Sequence, residues 1–574
     1  MNFPIEVNNK IIIARKGETI LEALTRNGLK VPTLCHMPEL NPSGSCRMCV
    51  VEVEGKSNLI TACSHPVEEW MKIKTHSPRV VNARKTNVEL LLSNHPDDCL
   101  YCERNGNCEL QSFAEELNIR ERRFPGKKNK HKTDPSGSSI IRDPAKCILC
   151  GRCVRTCEEI VGASTLGFIG RGNKTIIGPS FNQQINLSSC ITCGQCILSC
   201  PTGALHEKRH SSDLQNALHS SEKHVVIQYS PTISVSIGDD FGNKPGKDLY
   251  GIINAALRKT GFDKVFDASF AADLYTMELA AELEERLRNC GVLPLFSSDC
   301  PAWVKHVEQR FPDYIPNLSA CKSPQQMFGA IISNYYTKMF HVKLDDLYTV
   351  SAMPCTARKF ESKREQMTQK GISDVDAVLT TREFVQFIRL NGIDTHQLEP
   401  EIADFPFHVQ SSAGKLMGVS GGLTESLVRT FYQRITGKDM AQPKINELRN
   451  IKDYKEYHIK IGEFKLGFAV VNTVKQTARI IEELKAGRDD IHFIEVMACP
   501  YGCVNGGGQP FAEDMNAIKT RIKAIYDNDE KDSIKSAHKN PAIADLYREF
   551  LGTPGGELSK SLLYTTYKKR EVSL

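Results

Sequence analysis

The sequence predicts a modular α+β protein: three small cysteine-bearing domains in its first 209 residues, then a two-lobed α/β domain over residues 210–574. Three observations lead there. The chain has 574 residues, more than one hydrophobic core serves. Most of its 21 cysteines fall in tight groups before residue 210, with a scattered set beyond. Near residue 210 the apolar pattern changes to strands alternating with helices. At 40% hydrophobic and 25% charged, with a formal charge of +5, nothing in the balance calls for nucleic acid. The N-terminus lacks a basic segment followed by an apolar one, and no uncharged apolar run is long enough to span a membrane. A cytoplasmic protein without nucleic-acid or membrane partners is expected, and in that reducing compartment grouped thiols read as ligands, not disulfides.

Residues 1–80 read as strand, strand, helix and cysteine loop. Ile20, Leu21 and Leu24 have helical spacing, and Val50–Val53 and Leu59–Ala62 have strand character. Cys35, Cys46, Cys49 and Cys63 lie on the loops between, with Cys46-x-x-Cys49 at the centre. That is the plant-type ferredoxin plan for one 2Fe–2S cluster on a β-grasp frame, with a ten-residue first gap and zinc as the competing metal.

Residues 81–125 open with a short helix, Val88–Ser93, followed by His95-x3-Cys99-x2-Cys102-x5-Cys108. Three thiolates and an imidazole can hold a 4Fe–4S cluster of raised potential, or a structural zinc. The run Arg120 to Lys132 is basic, either a solvated connector or a docking patch for an acidic electron carrier.

Residues 126–209 carry an internal repeat. Cys147, Cys150, Cys153 and Cys157 recur as Cys190, Cys193, Cys196 and Cys200, the bacterial two-cluster ferredoxin signature, with Glu158 where the first run often has proline. The last cysteine of each run crosses over in that pattern. One 4Fe–4S cluster is then expected on Cys147, Cys150, Cys153 and Cys200, the other on Cys190, Cys193, Cys196 and Cys157. Four clusters in series suit a wire to a C-terminal catalytic domain.

Beyond residue 210, His224–Tyr229, Val292–Phe296, Leu347–Val350 and Ile491–Val496 are candidate buried strands. They run into Ser230-Pro231-Thr232, Ser298-Asp299-Cys300-Pro301, Met353-Pro354-Cys355 and Met497-Ala498-Cys499. Ligand sites of open α/β sheets lie at the carboxyl ends of strands, so Cys300, Cys355, Cys499 and Cys503 can converge on a further cluster.

Those loops, Cys300-Pro301-Ala302-Trp303, Met353 to Phe360 and Glu495 to Pro510, resemble the signature loops of the FeFe-hydrogenases. The N-terminal cluster order, with its long first gap, resembles the longer, monomeric, clostridial-type members. The resemblance covers essentially the whole chain. It implies ferredoxin-linked reduction of protons to H2 and the reverse, at a cluster held by Cys300, Cys355, Cys499 and Cys503, with Cys503 bridging to a di-iron centre carrying CO, cyanide and azadithiolate. Four 4Fe–4S clusters, counting that one, and one 2Fe–2S then account for nineteen of the 21 cysteines. Maturation proteins are implied as partners. The resemblance places Pro231, Thr232, Pro324, Gln325, Met353, Arg358, Gly418 and Met497 around the cofactor, and Asp299, Glu282, Ser319 and Arg286 on the proton path. Cys290 reads as a small buried residue near a helix end, and Cys321 as either that or part of the neighbouring signature. No glycine fingerprint follows a strand, so no flavin or NAD site is expected. About 70 residues follow Cys503, without a further cysteine-rich extension.

Several positions depart from the family pattern, Thr232 among them, where serine is usual. Asp299 stands where the relay cysteine is usual, trading a reference pKa of about 8.5 for about 3.9, which burial would raise. Leu279 replaces a relay carboxylate on the expected helix Leu274–Asn289. Glu278 and Glu282, four apart on it, read equally as a solvated acidic stripe. Arg358 replaces a lysine and keeps its charge. These changes open two rivals. One is a slow-turnover H2 sensor, for which no sensory domain is evident. The other is an electron-transfer subunit without the di-iron centre, against which the complete cysteine set weighs.

Overall fold

The structure is a computed structural model, and it describes residues 2–369, 371–511 and 515–572. The first module is a five-stranded sheet in the order Lys10–Arg15, Asn2–Val7, Lys72–Lys74, Val50–Val53, Ile60–Thr61. The helix Ile20–Arg26 buries Ile20, Leu21 and Leu24 against it. That helix starts later than Gly17 because Thr19 and Glu22 close a reciprocal capping box, which fixes the first turn.

The next helix runs over Pro78–Asn94, ten residues earlier than its apolar patch at Val88–Ser93 suggests. Ser77 caps it and Pro78 occupies its first turn, where a missing N–H is harmless. Buried Arg84 donates to the carbonyls of Met48 and Val50, clamping the helix onto the first module. The basic run after it is partly anchored: Arg123 pairs with Glu89, Arg122 with Asp97, and Lys128 with Asp97 and the Leu92 carbonyl.

The cysteine repeat folds as two like halves. The hairpin-like pairs Ile140–Arg142 with Leu205–Glu207, and Gly167–Ile169 with Ile176–Gly178, frame short helices at Arg152–Arg155 and Gln195–Ser199.

Beyond residue 223 two four-stranded sheets form two lobes. The first is all parallel, in the order Lys264–Asp267, His224–Tyr229, Leu347–Met353, Ala377–Thr380. The second runs Leu295–Phe296, Phe493–Met497, Phe464–Asn472, Tyr454–Ile461, with only the last strand antiparallel. The strand expected at Val292–Phe296 shrinks to Leu295–Phe296, since Val292 is solvent-exposed and Pro294 cannot donate to a ladder. The helix Ser269–Arg288 packs against Gly422–Thr436, Ser412–Leu416 and Pro324–Ile331 within the largest core cluster. Among the described residues no helix is long and apolar enough to cross a membrane.

Two readings need correction. Glu278 and Glu282 are no solvated stripe: they are 0% and 6% exposed. Glu278 accepts from Tyr547, Ser559 and the Gly555 amide, bolting the C-terminal helices onto Ser269–Arg288. Cys290 is exposed, because the helix ends at Arg288 and the chain turns outward with Cys290 in a left-handed conformation.

Candidate active site

The strands His224–Tyr229, Leu295–Phe296, Leu347–Met353 and Phe493–Met497 all end at one cavity between the two lobes. Their successor loops bring Cys300, Cys355, Cys499 and Cys503 to its wall, with Asp299, Arg358, Met353 and Met497 beside them. Pro231, Pro324, Gln325 and Gly418 are also part of the lining. Burial pushes the Cys300 thiol up to about 12, with the Cys355 thiolate and Asp299 adding to it. Cys499 and Cys503 are raised strongly by burial and by one another's neighbours. Four thiols in a buried, largely apolar cavity cannot ionise together unless a cationic group joins them, so this donor set fits a metal cluster.

Thr232 stands behind this wall. Its hydroxyl bonds Ser230 at 2.9 Å, and a Cβ on Gly418 would lie 2.1 Å from its Cγ2. Gly418 is therefore glycine because Thr232 occupies the space a side chain would take. Arg358 reaches the cavity from the helix Ala357–Glu361. Burial opposes its charge, but Glu361 at 2.7 Å and the Cys355 thiolate hold it above the usual guanidinium range. Gln325 is fixed on both faces: its Nε2 donates to the Arg358 carbonyl at 3.4 Å, and its Oε1 accepts from Ser351 at 3.0 Å.

Cys193, from the second cysteine run, lines the same cavity. Gly507 and Gly194 permit that approach, and Gly506 allows the loop carrying Cys503 to pack on Pro354. A Cβ on Gly507 would fall 2.1 Å from the Cys193 carbonyl, on Gly506 2.2 Å from the Pro354 carbonyl, and on Gly194 2.4 Å from Thr356 Oγ1. Thr356 Oγ1 donates to the Thr192 carbonyl and Gln195 Nε2 to the Asn505 carbonyl, both at 2.7 Å.

The remaining cysteine groups are also assembled. Cys147, Cys150, Cys153 and Cys200 line one cavity. Buried Cys153 is raised first by desolvation and then most by Cys200, while Cys190, Cys193 and Cys196 all feel Cys157. Arg47, Leu149 and Thr192 adopt positive φ inside their Cys-x-x-Cys turns. The Leu149 and Thr192 amides thereby meet the sulfurs of Cys147 and Cys190 at 3.4 Å. In the first module the thiols meet in pairs, Cys35 with Cys46 and Cys49 with Cys63. His95 is 9% exposed with neither ring nitrogen hydrogen-bonded, and buried unpaired imidazole nitrogens fit a ligand role. Cys99, Cys102 and Cys108 follow it in the chain, on the short turn Cys99–Tyr101, at its end, and at the start of the helix Glu109–Glu116. No three His, Cys, Asp or Glu side chains among the described residues close on a single-ion site.

Asp299 sits at the cavity with Oδ1 unpartnered. Burial raises its pKa to about 6, against the opposing pull of Arg358 and the Ser297 hydroxyl. Further out, Glu282 accepts from Ser319 Oγ at 2.5 Å, Arg286 at 2.7 Å and the Ala320 amide at 3.2 Å. Arg286 ties on to the carbonyls of Val292, Pro316 and Leu318 at the rim. Cys321 is fully buried, with its thiol 3.6 Å from Glu282 Oε2 and its carbonyl accepting from Ser298 Oγ at 2.8 Å. Leu279 is 0% exposed and fills core space in place of a carboxylate. Sequence reasoning gave no role to Glu495, although it lies inside a quoted signature loop. It is fully buried, raised by desolvation to about 7, and clasped by the Gly421 and Thr424 amides.

Comparison with known proteins agrees with this geometry. The family description "Iron only hydrogenase large subunit, C-terminal domain" matches residues 223–507, and "Iron hydrogenase small subunit" matches 515–570. A "2Fe-2S iron-sulfur cluster binding domain" matches residues 2–78, an "NADH-ubiquinone oxidoreductase-G iron-sulfur binding region" 84–123, and an "NADH-quinone oxidoreductase subunit 3, ferredoxin-like domain" 137–206. The NADP-reducing hydrogenase subunit HndD of Solidesulfovibrio fructosivorans is 40% identical over 99% of both chains. Iron hydrogenase 1 of Clostridium pasteurianum is 37% identical over 96% of this chain and 97% of its own. A solved variant of the FeFe-hydrogenase HydA1 from Chlamydomonas reinhardtii superposes with a TM-score of 0.56 at 32% identity, covering 62% of this chain and 98% of its own. Similar over nearly its whole length to named hydrogenases, this chain belongs to the iron-only (FeFe) hydrogenase family, enzymes that act on molecular hydrogen.

Proposed function

We propose that this hydrogenase reversibly reduces protons to H2 with electrons from reduced ferredoxin, delivered through a chain of iron–sulfur clusters. The observation that carries the reading is the shared cavity: four thiols from three strand ends, a thiol of the second ferredoxin-type run, and a buried carboxylate all line it. Cys35, Cys46, Cys49 and Cys63 would hold a 2Fe–2S cluster. His95, Cys99, Cys102 and Cys108 would hold a 4Fe–4S cluster, and the two crossed sets of the repeat would hold two more. Cys300, Cys355, Cys499 and Cys503 would hold the fourth cubane and, with it, a di-iron centre. When bound, that centre would supply the redox metal chemistry by which two protons and two electrons become H2.

The protein's own groups do the rest. Arg358 keeps its charge at the cavity wall and is suited to donate to an anionic cofactor ligand. Pro231, Pro324, Met353, Gly418 and Met497 give a close, largely apolar wall, and Gln325 is locked to one orientation. Asp299 exchanges the proton at the cavity. Glu282 and Ser319 carry it toward the rim, with Arg286 holding Glu282 in place. Electron entry is supported by a groove whose lining includes His95 and Cys147 beside Lys127, Lys130 and His131. An acidic ferredoxin suits that charge. The reading takes the chain as a cytoplasmic monomer loaded by maturation proteins. A second carrier is favoured by one relative, a subunit of an NADP-reducing hydrogenase: a partner subunit would then take the place of ferredoxin and accept electrons released from H2. Infrared spectroscopy of anaerobically maturated protein tests the proposal. Bands of metal-bound CO and cyanide are expected, and their absence from catalytically active protein would overturn it. Native mass then separates monomer from partner complex.

A further inference from the structure

Arg104 lies between the third and fourth ligands of the histidine module and is 6% exposed. Its Nε and Nη1 are buried without a hydrogen-bond partner. Neighbouring charges are engaged elsewhere: Glu103 pairs with Arg209, Glu109 with Arg152, and Glu207 with Arg382. Arg104 and Arg382 share the Phe511 ring, at 3.6 Å and 4.8 Å from its centroid, yet only Arg382 has a carboxylate. A buried guanidinium without a counter-charge is among the least favourable arrangements a protein interior holds.

The thiolates within its reach belong to cluster ligands, and Glu109 adds a more weakly felt carboxylate. Burial pulls the Arg104 pKa down, and the Cys200 and Cys108 thiolates push it back up. Cys108 belongs to the histidine set and Cys200 to the set with Cys147, Cys150 and Cys153. The turn after Cys200 packs onto the segment that carries Arg104. A Cβ on Gly203 would lie 2.5 Å from Cys102 Sγ and 3.8 Å from Arg104 Cγ, and the Glu109 amide donates to the Pro201 carbonyl at 3.0 Å. Arg104 therefore stands at the seam where the two ligand sets meet.

We infer that Arg104 is the cationic positioning residue between these two clusters, donating its free N–H groups to their sulfurs and raising both reduction potentials. A fixed cation stabilises the reduced, more negative state of each, and hydrogen bonds to sulfur act in the same direction. Sharing one cation keeps the two potentials moving together, which suits consecutive stations of a wire. The inference rests on the ligand sets of the proposed function.

The test is redox titration of the full, maturated chain followed by electron paramagnetic resonance, for wild type, Arg104→Gln and Arg104→Lys. In Arg104→Gln the iron content should be unchanged and the midpoints of these two clusters should move negative together. The 2Fe–2S midpoint should stay fixed, and Arg104→Lys should retain most of the wild-type values. Unchanged midpoints in fully loaded Arg104→Gln protein would overturn the inference. So would loss of iron from both variants, which would make Arg104 a folding residue. A wrong ligand assignment would instead show as missing cluster signals in the wild type.

Discussion

Asp299 as proton donor and acceptor predicts a large effect of a small change. Its pKa is raised from 3.8 to about 6 because burial outweighs the pull of Arg358 and Ser297. At pH 7 a carboxyl with a pKa of about 6 is protonated roughly one time in ten, against roughly one in a thousand for an exposed one. Burial thus increases the acid form about 100-fold at neutral pH. Asp299→Ala removes that acid altogether and should lower H2 evolution by about 100-fold or more, which is about 3 kcal/mol in barrier height. The assay is H2 evolution from a reduced viologen dye, which bypasses the protein carrier, recorded across pH. Wild-type evolution should fall as pH rises through about 6, where the carboxyl loses its proton. Asp299→Cys should move that limb to higher pH, since a thiol starts near about 8.5. Asp299→Ala protein with full di-iron occupancy and near-normal turnover would refute the reasoning and assign proton exchange to Cys321 or water.

Other predictions address the surroundings of that carboxylate. Glu282→Gln should slow turnover while leaving cluster spectra intact, and Cys321→Ala should do so only if the 3.6 Å thiol contact with Glu282 carries protons where Leu279 cannot; the pair is read by dye-linked rates. Gly418→Ala forces a methyl to within 2.1 Å of Thr232 Cγ2 and should destabilise by about 1–3 kcal/mol in thermal or denaturant unfolding, with Thr232→Ser restoring most of it by deleting that methyl. Neutralising exposed Lys127, Lys130 and Lys132 together should weaken ferredoxin-dependent turnover and flatten its salt dependence; an unchanged salt response leaves the segment a linker. Lys128 is a poor choice for that test, being bonded to Asp97 and Leu92. Fully maturated protein should contain about 20 irons by the proposed ligand sets, and half that value with zinc making up the rest would refute them.

The local cysteine groups were legible in the sequence because they recur at short, repeated spacings. Cys-x-x-Cys turns need only local backbone geometry, and the positive φ of Leu149 and Thr192 is set within the turn itself. Strands such as His224–Tyr229 were equally legible, since a parallel strand buried on both faces is rich in apolar residues rather than alternating, here Val225, Val226, Ile227 and Tyr229. The distant set was different. Cys300, Cys355 and Cys499 could be grouped only through strand-end logic and resemblance, because their meeting depends on how two sheets face each other. Tertiary structure alone decided what the acidic helix residues do. Glu278 and Glu282 share a face and a chemistry, yet Glu278 is spent on Tyr547 and Ser559 while Glu282 meets Ser319 and Cys321. It also decided why Gly418 must be glycine and that Cys193 reaches the catalytic cavity. Each of these depends on a partner far away in the chain, brought close only when separate elements pack, and one-dimensional periodicity carries no information about such contacts.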